Sequence, residues 1–219
     1  MKLKKRMSNW NRYKPILNSI NVNTIDVPDD LYEYTKALAT KTKEEAVPMN
    51  GSLAGLMKEE YRVNDMGRDL FYFLRRGLDK KPFYHLWSNI DMITRDLPVA
   101  LGESWINFQK KYEFNPLHDH SGFASFILFI QIPYDLEKEA TVFPKANNSE
   151  ANTNPNSKLV FVGHNVTRGN IESVSIPVDK SFEGKLLMFD AHHYHMVYPF
   201  YTSDDYRITM SGNFKFHSD

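Results

Sequence analysis

The spacing of apolar residues changes near residue 104 from a helical repeat to a strand repeat. Before that point, Leu31, Tyr34 and Leu38 follow one another at the spacing of one helix face. Similar apolar stripes predict two further helices, within residues 68–78 and 82–97. Residues 1–103 are therefore predicted to be mainly helical.

From residue 104 onwards, apolar and polar residues tend to alternate, and Phe, Ile, Val and Tyr are frequent. Both features are typical of β-strands. The predicted strands cover residues 104–109, 123–132, 158–166, 172–178, 184–189, 195–201 and 206–216. Strands this short and numerous fit a β-sandwich, a jelly roll or a small barrel. Helices followed by strands predict an α+β fold, with the helices of the N-terminal half packed against a β core.

A polar segment at about residues 134–158 interrupts the strand pattern and ends in KANNSEANTNPNSK. Such a composition buries too little apolar surface to fold by itself, so we expect a surface loop. The chain has 219 residues and no visible internal repeat. We therefore expect a single domain over residues 1–219, with a β core in residues 104–219.

The composition excludes several classes of function. The 27 Lys and Arg residues balance 27 Asp and Glu residues, which argues against a nucleic-acid partner. No Cys is present, so thiolate nucleophiles and Cys metal sites are excluded. No apolar run reaches the ~20 residues that a membrane span needs, and the basic start lacks the apolar segment of a signal peptide. We expect a cytoplasmic protein without a membrane partner, whose chemistry uses His and carboxylates.

Five of the eight histidines fall in two short clusters, at residues 118–120 and 192–195. Residues two apart on a strand share a face, so His118 and His120 could bind one ion together with a third imidazole from a distant strand. Imidazole suits Fe, Zn, Cu and Ni, so these residues leave the metal open. The alternative is that the histidines are exposed polar residues near strand ends, because an H-x-H pair also arises by chance.

The last predicted strand places Arg207, Thr209 and Ser211 on one face. This face either contacts water on an edge strand or lies inside a barrel, where Arg207 and Thr209 would bind an anionic ligand. A hairpin with its turn at residues 202–205 would offset His195 from Arg207 by about 10 Å along the strands. That span suits a dicarboxylate that contacts a metal at one end and Arg207 at the other. This coincidence favours the interior position.

Three motifs together resemble the 2-oxoglutarate/Fe(II)-dependent oxygenase superfamily: His118-x-His120-x-Gly122, the segment from Gly184 to His195, and Arg207-x-Thr209-x-Ser211. The resemblance is closest to oxygenases of tailed phages of marine bacteria, within a prolyl-hydroxylase-like branch. It covers most of residues 104–219. It implies a double-stranded β-helix (jelly-roll) core, Fe(II) as the metal and 2-oxoglutarate as a small-molecule co-substrate.

The resemblance also implies roles for individual residues. His118 would be the first metal ligand and His195 the distal one. Arg207 would bind the C5 carboxylate of 2-oxoglutarate, assisted by Thr209 or Ser211. The superfamily has an acidic residue where this chain has His120. Either His120 is the third ligand of a three-His site, which we favour, or His120 takes the first role and Gly122 leaves a ligand position vacant.

These expectations describe an Fe(II)- and 2-oxoglutarate-dependent oxygenase that hydroxylates an unidentified substrate. The prolyl-hydroxylase-like branch favours a protein side chain, and a phage-encoded protein would act in the host cytoplasm. One alternative is a jelly-roll metalloenzyme that does not use 2-oxoglutarate, for which Arg207 would be dispensable. Another is a non-catalytic β-sandwich that binds a partner through Trp and Tyr.

Overall fold

The computed structural model describes residues 7–79, 99–142, 154–165 and 169–216. The helix predicted at residues 82–97 lies outside these ranges, as does the middle of the predicted polar loop. The helices of the described part are α1 (Asn9–Ser19), α2 (Asp29–Glu45), α3 (Arg68–Gly77) and α4 (Leu136–Thr141). Short 3-10 helices cover Asn50–Ser52 and Lys180–Phe182. None of the helices in these ranges is long and apolar enough to span a membrane.

Helices α2 and α3 lie where the apolar stripes predict them. The first turn of α2 contains Asp29 and Asp30, and its last turn contains Lys43. These charges complement the helix dipole. In α3, Leu70 and Leu74 are buried on one face. Helix α1 was not predicted, because the internal Pro15 interrupts the helical pattern there.

The strands form two antiparallel sheets. They are β1 (Asn23–Asp26), β2 (Glu60–Arg62), β3 (Val99–Gln109), β4 (Asn115–His118), β5 (Ala124–Gln131), β6 (Lys158–Asn165), β7 (Asn170–Pro177), β8 (Lys185–Asp190), β9 (His195–Val197) and β10 (Arg207–Phe216). The larger sheet has the order β1-β8-β5-β10-β3-β2, and the smaller has the order β4-β9-β6-β7. The predicted α+β fold with a jelly-roll core is confirmed.

The predicted hairpin between His195 and Arg207 is wrong. Strand β9 belongs to the smaller sheet and β10 to the larger one, so the two are not paired. The sequence pattern also missed β1, β2 and β4. Each of these strands has only three or four residues, too few for an alternation to be recognised.

Two hydrophobic clusters cover the two faces of the larger sheet. One joins that sheet to the helices and includes Leu70, Leu74, Met210 and Phe214. The other joins it to α1 and the smaller sheet and includes Trp10, Leu17, Phe129, Phe161, Phe182 and Phe189. Because side chains alternate along β10, Met210 and Phe214 face the helices while the intervening residues face the space between the sheets. The polar face of β10 is therefore interior.

Candidate metal centre

Three histidines meet at the open end of the space between the sheets. His118 ends β4 and His195 begins β9, and the two residues are direct partners across these antiparallel strands. His120 follows two residues after His118. One ring nitrogen from each residue lies within 4.8 Å of the others, close enough to hold one metal ion. Nε2 of His120 is 3.3 Å from Nε2 of His195.

His120 reaches this group by a route that the sequence did not predict. Strand β4 ends at His118, so the side chain of His120 is not placed by strand alternation. Instead, its backbone N–H donates a hydrogen bond to the carbonyl of Ala191 over 2.8 Å. Gly122 then turns the chain with a φ of +96°, and a side chain there would collide with the carbonyl of Phe214. A left-handed glycine at this point therefore lets the turn pack against β10.

Backbone carbonyls orient two of the imidazoles. Nδ1 of His118 is 2.7 Å from the carbonyl oxygen of Pro116, and Nδ1 of His195 is 2.9 Å from that of His193. A carbonyl oxygen only accepts, so Nδ1 carries the proton in both rings. The Nε2 lone pair of each ring is then free for a metal, in the arrangement that metal-binding histidines usually adopt.

Burial keeps all three imidazoles neutral. It lowers the pKa of His195 to about 3 and that of His120 to about 4, and neighbouring imidazoles add to both shifts. The pKa of His118 is lowered for the same main reason. A protonated imidazole cannot bind a metal, so these shifts keep the ligand atoms available at neutral pH.

The two other histidines of the second cluster do not join the group. His192 is exposed, with Nδ1 3.5 Å from Asp119. The ring of His193 packs against Phe161, with centroids 5.0 Å apart. Within the described ranges, the group therefore consists of His118, His120 and His195.

The facing wall of the cavity is formed by β10. Arg207, Thr209 and Ser211 are 2%, 8% and 7% exposed, and they line the same cavity of about 350 Å³ as the three histidines. Nη1 of Arg207 has no hydrogen-bond partner in the described part of the chain, and no carboxylate there forms a salt bridge with it. Burying an unpaired guanidinium is costly, so this wall is suited to an anionic ligand.

Neighbouring strands supply further polar groups to the cavity. Nδ2 of Asn107, on β3, donates to Oγ1 of Thr209 over 3.2 Å. Trp105 packs near His120, with ring centroids 5.8 Å apart. Sequence reasoning missed Glu60 and Asn115, which also line the cavity. Glu60 lies on a three-residue strand, where no pattern in the sequence marks an inward-facing position.

A jelly roll with three converging imidazoles, and with a buried arginine whose Nη1 has no partner among the described residues, is suited to hold a metal ion and an anion side by side. Comparison with known protein families identifies the family to which the chain belongs. The family described as "Putative 2OG-Fe(II) oxygenase" matches residues 103–213, just over half of the chain. The chain belongs to this family of 2-oxoglutarate- and Fe(II)-dependent oxygenases.

Solved structures agree with this fold. A Pseudomonas putida prolyl-4-hydroxylase is similar with a TM-score of 0.54 at 12% identity, covering 94% of this chain and 98% of that one. The 2-oxoglutarate-dependent epimerase SnoN from nogalamycin biosynthesis gives a TM-score of 0.51 at 13% identity, covering 94% and 82%. At such low identities the likeness concerns the fold alone. No curated protein matches the sequence.

Family membership confirms the enzyme class and the cofactors expected from the sequence, Fe(II) and 2-oxoglutarate. The residues present fit both groups. Three neutral imidazoles with converging nitrogens suit a divalent transition metal, and Arg207 suits a carboxylate.

Proposed function

We propose that His118, His120 and His195 bind the Fe(II) ion, and that Arg207, Thr209 and Ser211 bind 2-oxoglutarate. The observation that carries this proposal is the presence of both groups in one cavity, with Nη1 of Arg207 left without a partner among the described residues. When bound, Fe(II) supplies the centre at which 2-oxoglutarate and O₂ react, yielding succinate, CO₂ and an oxidised substrate.

The side chains of the chain have distinct tasks in this reaction. The imidazoles hold the metal through neutral nitrogens, and the carbonyls of Pro116 and His193 fix two of the rings. Arg207 binds the distal carboxylate of 2-oxoglutarate through paired N–H groups, and the hydroxyl of Thr209 is on the same face of β10. The surrounding walls keep water from the charged ligand, which strengthens these interactions.

His120 makes this site differ from one with two histidines and a carboxylate. A neutral imidazole in place of a carboxylate leaves the metal site one unit more positive. Such a site would attract the two carboxylates of 2-oxoglutarate more strongly, because fewer negative charges surround the metal. Because one ring nitrogen of each of the three histidines lies within 4.8 Å of the others, we infer that His120 is the third ligand and not a substitute for His118.

We further propose that the whole chain, residues 1–219, is one oxygenase domain that hydroxylates its substrate. The sequence resemblance to a prolyl-hydroxylase-like branch and to marine phage oxygenases favours a protein side chain as the substrate and the cytoplasm as its location. The prolyl-4-hydroxylase among the structures of similar fold is consistent with this reaction class.

The test is an anaerobic titration of the metal-free protein with Fe(II), followed by 2-oxoglutarate. We expect a visible metal-to-ligand charge-transfer band that saturates with 2-oxoglutarate, because the co-substrate must contact the metal directly. Absence of the band at saturating ligand, with the protein folded, would contradict the proposal. A band that persists unchanged in Arg207→Ala would show that this residue does not bind the co-substrate.

A further inference from the structure

Glu60 is a buried carboxyl group in the cavity with no task in the chemistry described so far. It is 1% exposed, lies on β2 and is the direct cross-strand partner of Asn107 on β3. Its Oε2 accepts a long hydrogen bond of 3.4 Å from Nδ2 of Asn50. Within the described ranges, no cation forms a salt bridge with it.

Two amide oxygens near Glu60 have no hydrogen-bond partner among the described residues. Oδ1 of Asn107 and Oδ1 of Asn115 are buried and accept no hydrogen bond from the described residues. Gly55 shows how closely these groups approach each other. A β-carbon on Gly55 would collide with Oε1 of Glu60 and lie 2.6 Å from Oδ1 of Asn115. The lack of a side chain at Gly55 therefore allows the two oxygens to lie side by side.

The local charges favour a cation. Burial raises the pKa of Glu60 to about 7, and the carboxylate of Glu113 adds to the shift. A carboxylate in this place is unstable unless a positive group joins it. The co-substrate, a dianion, would be repelled here and is attracted to Arg207 on β10. The larger sheet thus presents a group suited to an anion on β10 and a group suited to a cation on β2, two strands away.

We propose that Glu60, Asn107 and Asn115 form a subsite that binds a primary ammonium group of the substrate. An ammonium has three N–H donors and no acceptor, which matches the buried carboxylate of Glu60 and two amide oxygens that lack donors among the described residues. As a statement about the substrate, this inference rests on the proposed oxygenase function. Its structural basis, the three acceptors, is independent of the metal.

The position of the subsite suits recognition of the substrate's ammonium group and not a reaction at that group. Asn115 precedes His118 by three residues on β4, which corresponds to about 10 Å along a strand. An ammonium held there is separated from the histidines by the body of the substrate. The carbon that reacts would therefore be several bonds away from the nitrogen that is recognised.

The first test uses the metal-free wild-type protein with ¹³C-labelled glutamate. The Glu60 signal is assigned by its loss in Glu60→Gln, and its pKa is followed by NMR with and without methylammonium chloride. We expect methylammonium to lower the pKa of Glu60 by about one unit in a saturable way. Tetramethylammonium chloride is the control, because it has the same charge but no N–H donor. No shift, or an equal shift with tetramethylammonium, would overturn the proposal.

The second test follows the backbone amide signals of Gly55 and Asn115 during the same titration. Methylammonium should shift them in the wild type and in Glu103→Gln, but not in Glu60→Gln. Glu103 is a matched control, because it lines the same cavity but is exposed and contacts Arg62 over 3.0 Å. Equal shifts in Glu60→Gln would overturn the proposal. Should that variant fail to fold, the wild-type titration decides.

Further outcomes distinguish an ammonium subsite from a metal-binding one and from a failure of the proposed function. If Ca²⁺ or Mg²⁺ shifts the Glu60 signal and methylammonium does not, the three oxygens bind a metal ion and the ammonium assignment is wrong. If wild-type protein gives the Fe(II)–2-oxoglutarate band but no methylammonium effect, only the subsite is wrong. A missing band contradicts the proposed function whatever the methylammonium result.

Discussion

The two sheets place their functional residues in the cavity in different ways. In the larger sheet, Arg207, Thr209 and Ser211 lie at alternate positions of one ten-residue strand, β10. That strand is paired along most of its length with β3 on one side and β5 on the other. In the smaller sheet, His118 and His195 lie at the ends of β4 and β9, which have four and three residues.

This difference shows how the side chains of each wall of the cavity are held in position. Ladders on both sides hold β10, so its anion-binding face exists before any ligand arrives. The histidine wall depends on a short pairing, with two residue pairs between β4 and β9, and on hydrogen bonds to backbone carbonyls. Among the described residues, His120 is held by one backbone hydrogen bond to Ala191 and by ring contacts with Trp105 and the other two histidines. We therefore expect ligand binding at the histidine wall to be more sensitive to substitution than ligand binding at the wall on β10.

Removing His195 should have the largest effect. In His195→Ala, the affinity for Fe(II) should fall by on the order of 100-fold or more, since losing even a residue that supports a ligand costs about 10–100-fold. The charge-transfer band with 2-oxoglutarate should disappear with the metal. Anaerobic Fe(II) titration by calorimetry measures the first effect and absorbance the second.

His192→Ala is the matched control for that experiment. It removes a neighbouring histidine whose ring is exposed and lies outside the group of three. It should bind Fe(II) like the wild type. Wild-type Fe(II) affinity in a folded His195→Ala protein would refute the assignment of the metal wall.

Arg207→Ala should affect the other wall selectively. Truncating one partner of a buried charge pair costs at least about 2 kcal/mol, so the affinity for 2-oxoglutarate should fall roughly 30-fold or more. Fe(II) binding should be unchanged, because Arg207 is on β10 and not in the histidine group. The measurement is the 2-oxoglutarate concentration at half-maximal charge-transfer absorbance.

Arg62→Ala serves as the comparison, since Arg62 is partly exposed and paired with Glu103. It should leave the 2-oxoglutarate affinity at the wild-type value. If both variants bind 2-oxoglutarate as the wild type does, the anion wall has been assigned to the wrong residue.

The stability of the metal-free protein should depend on pH through the histidine wall. His120 and His195 have folded-state pKa values of about 4 and 3, below the 6.5 of an unfolded histidine. As the pH falls, these two histidines therefore bind protons in the unfolded chain before they do so in the folded protein. The stabilisation from neutral imidazoles is complete above about pH 6.5 and is lost as the pH falls towards 4 and 3. The loss is at most about 1.4 kcal/mol per pH unit for each histidine.

Urea denaturation at several pH values between about 7.5 and 5 measures this loss. His120→Gln should make the dependence shallower, because glutamine does not titrate. A dependence of the same steepness in His120→Gln would show that His120 does not contribute.

The smallest expected effect concerns a hydroxyl on β10. Thr209→Val keeps the shape of the side chain but removes the acceptor of the Asn107 hydrogen bond and a donor to the co-substrate. A hydrogen bond contributes about 1 kcal/mol, so the 2-oxoglutarate affinity should fall roughly fivefold. The charge-transfer titration applies again.

Thr40→Val is the control, because Thr40 is exposed on α2 and bonds only to the backbone of its own helix. It should not change the affinity. A decrease in Thr209→Val as large as that in Arg207→Ala would indicate that the hydroxyl, and not the guanidinium, dominates anion binding.

The longer strands of both sheets could be predicted from the sequence, because alternation is visible in them, whereas β1, β2 and β4, with three or four residues each, could not. The inward face of β10 was predicted correctly for this reason. The way in which Arg207 and His195 come to line the same cavity was predicted wrongly, because β9 and β10 were expected to pair as a hairpin. The chain instead crosses between the sheets, and a local pattern contains no information about which sheet a short strand joins.

The sequence by itself determined the α+β fold, the superfamily resemblance, the H-x-H pair and the polar face of β10. These depend on local spacing and residue type. Only the tertiary structure decided how His120 reaches the other histidines, that Arg207 is buried without a partner among the described residues, and that Glu60 faces the same cavity. Each of these depends on turns and short strands brought together from distant parts of the chain, where packing and backbone hydrogen bonds, not local periodicity, fix the side chains.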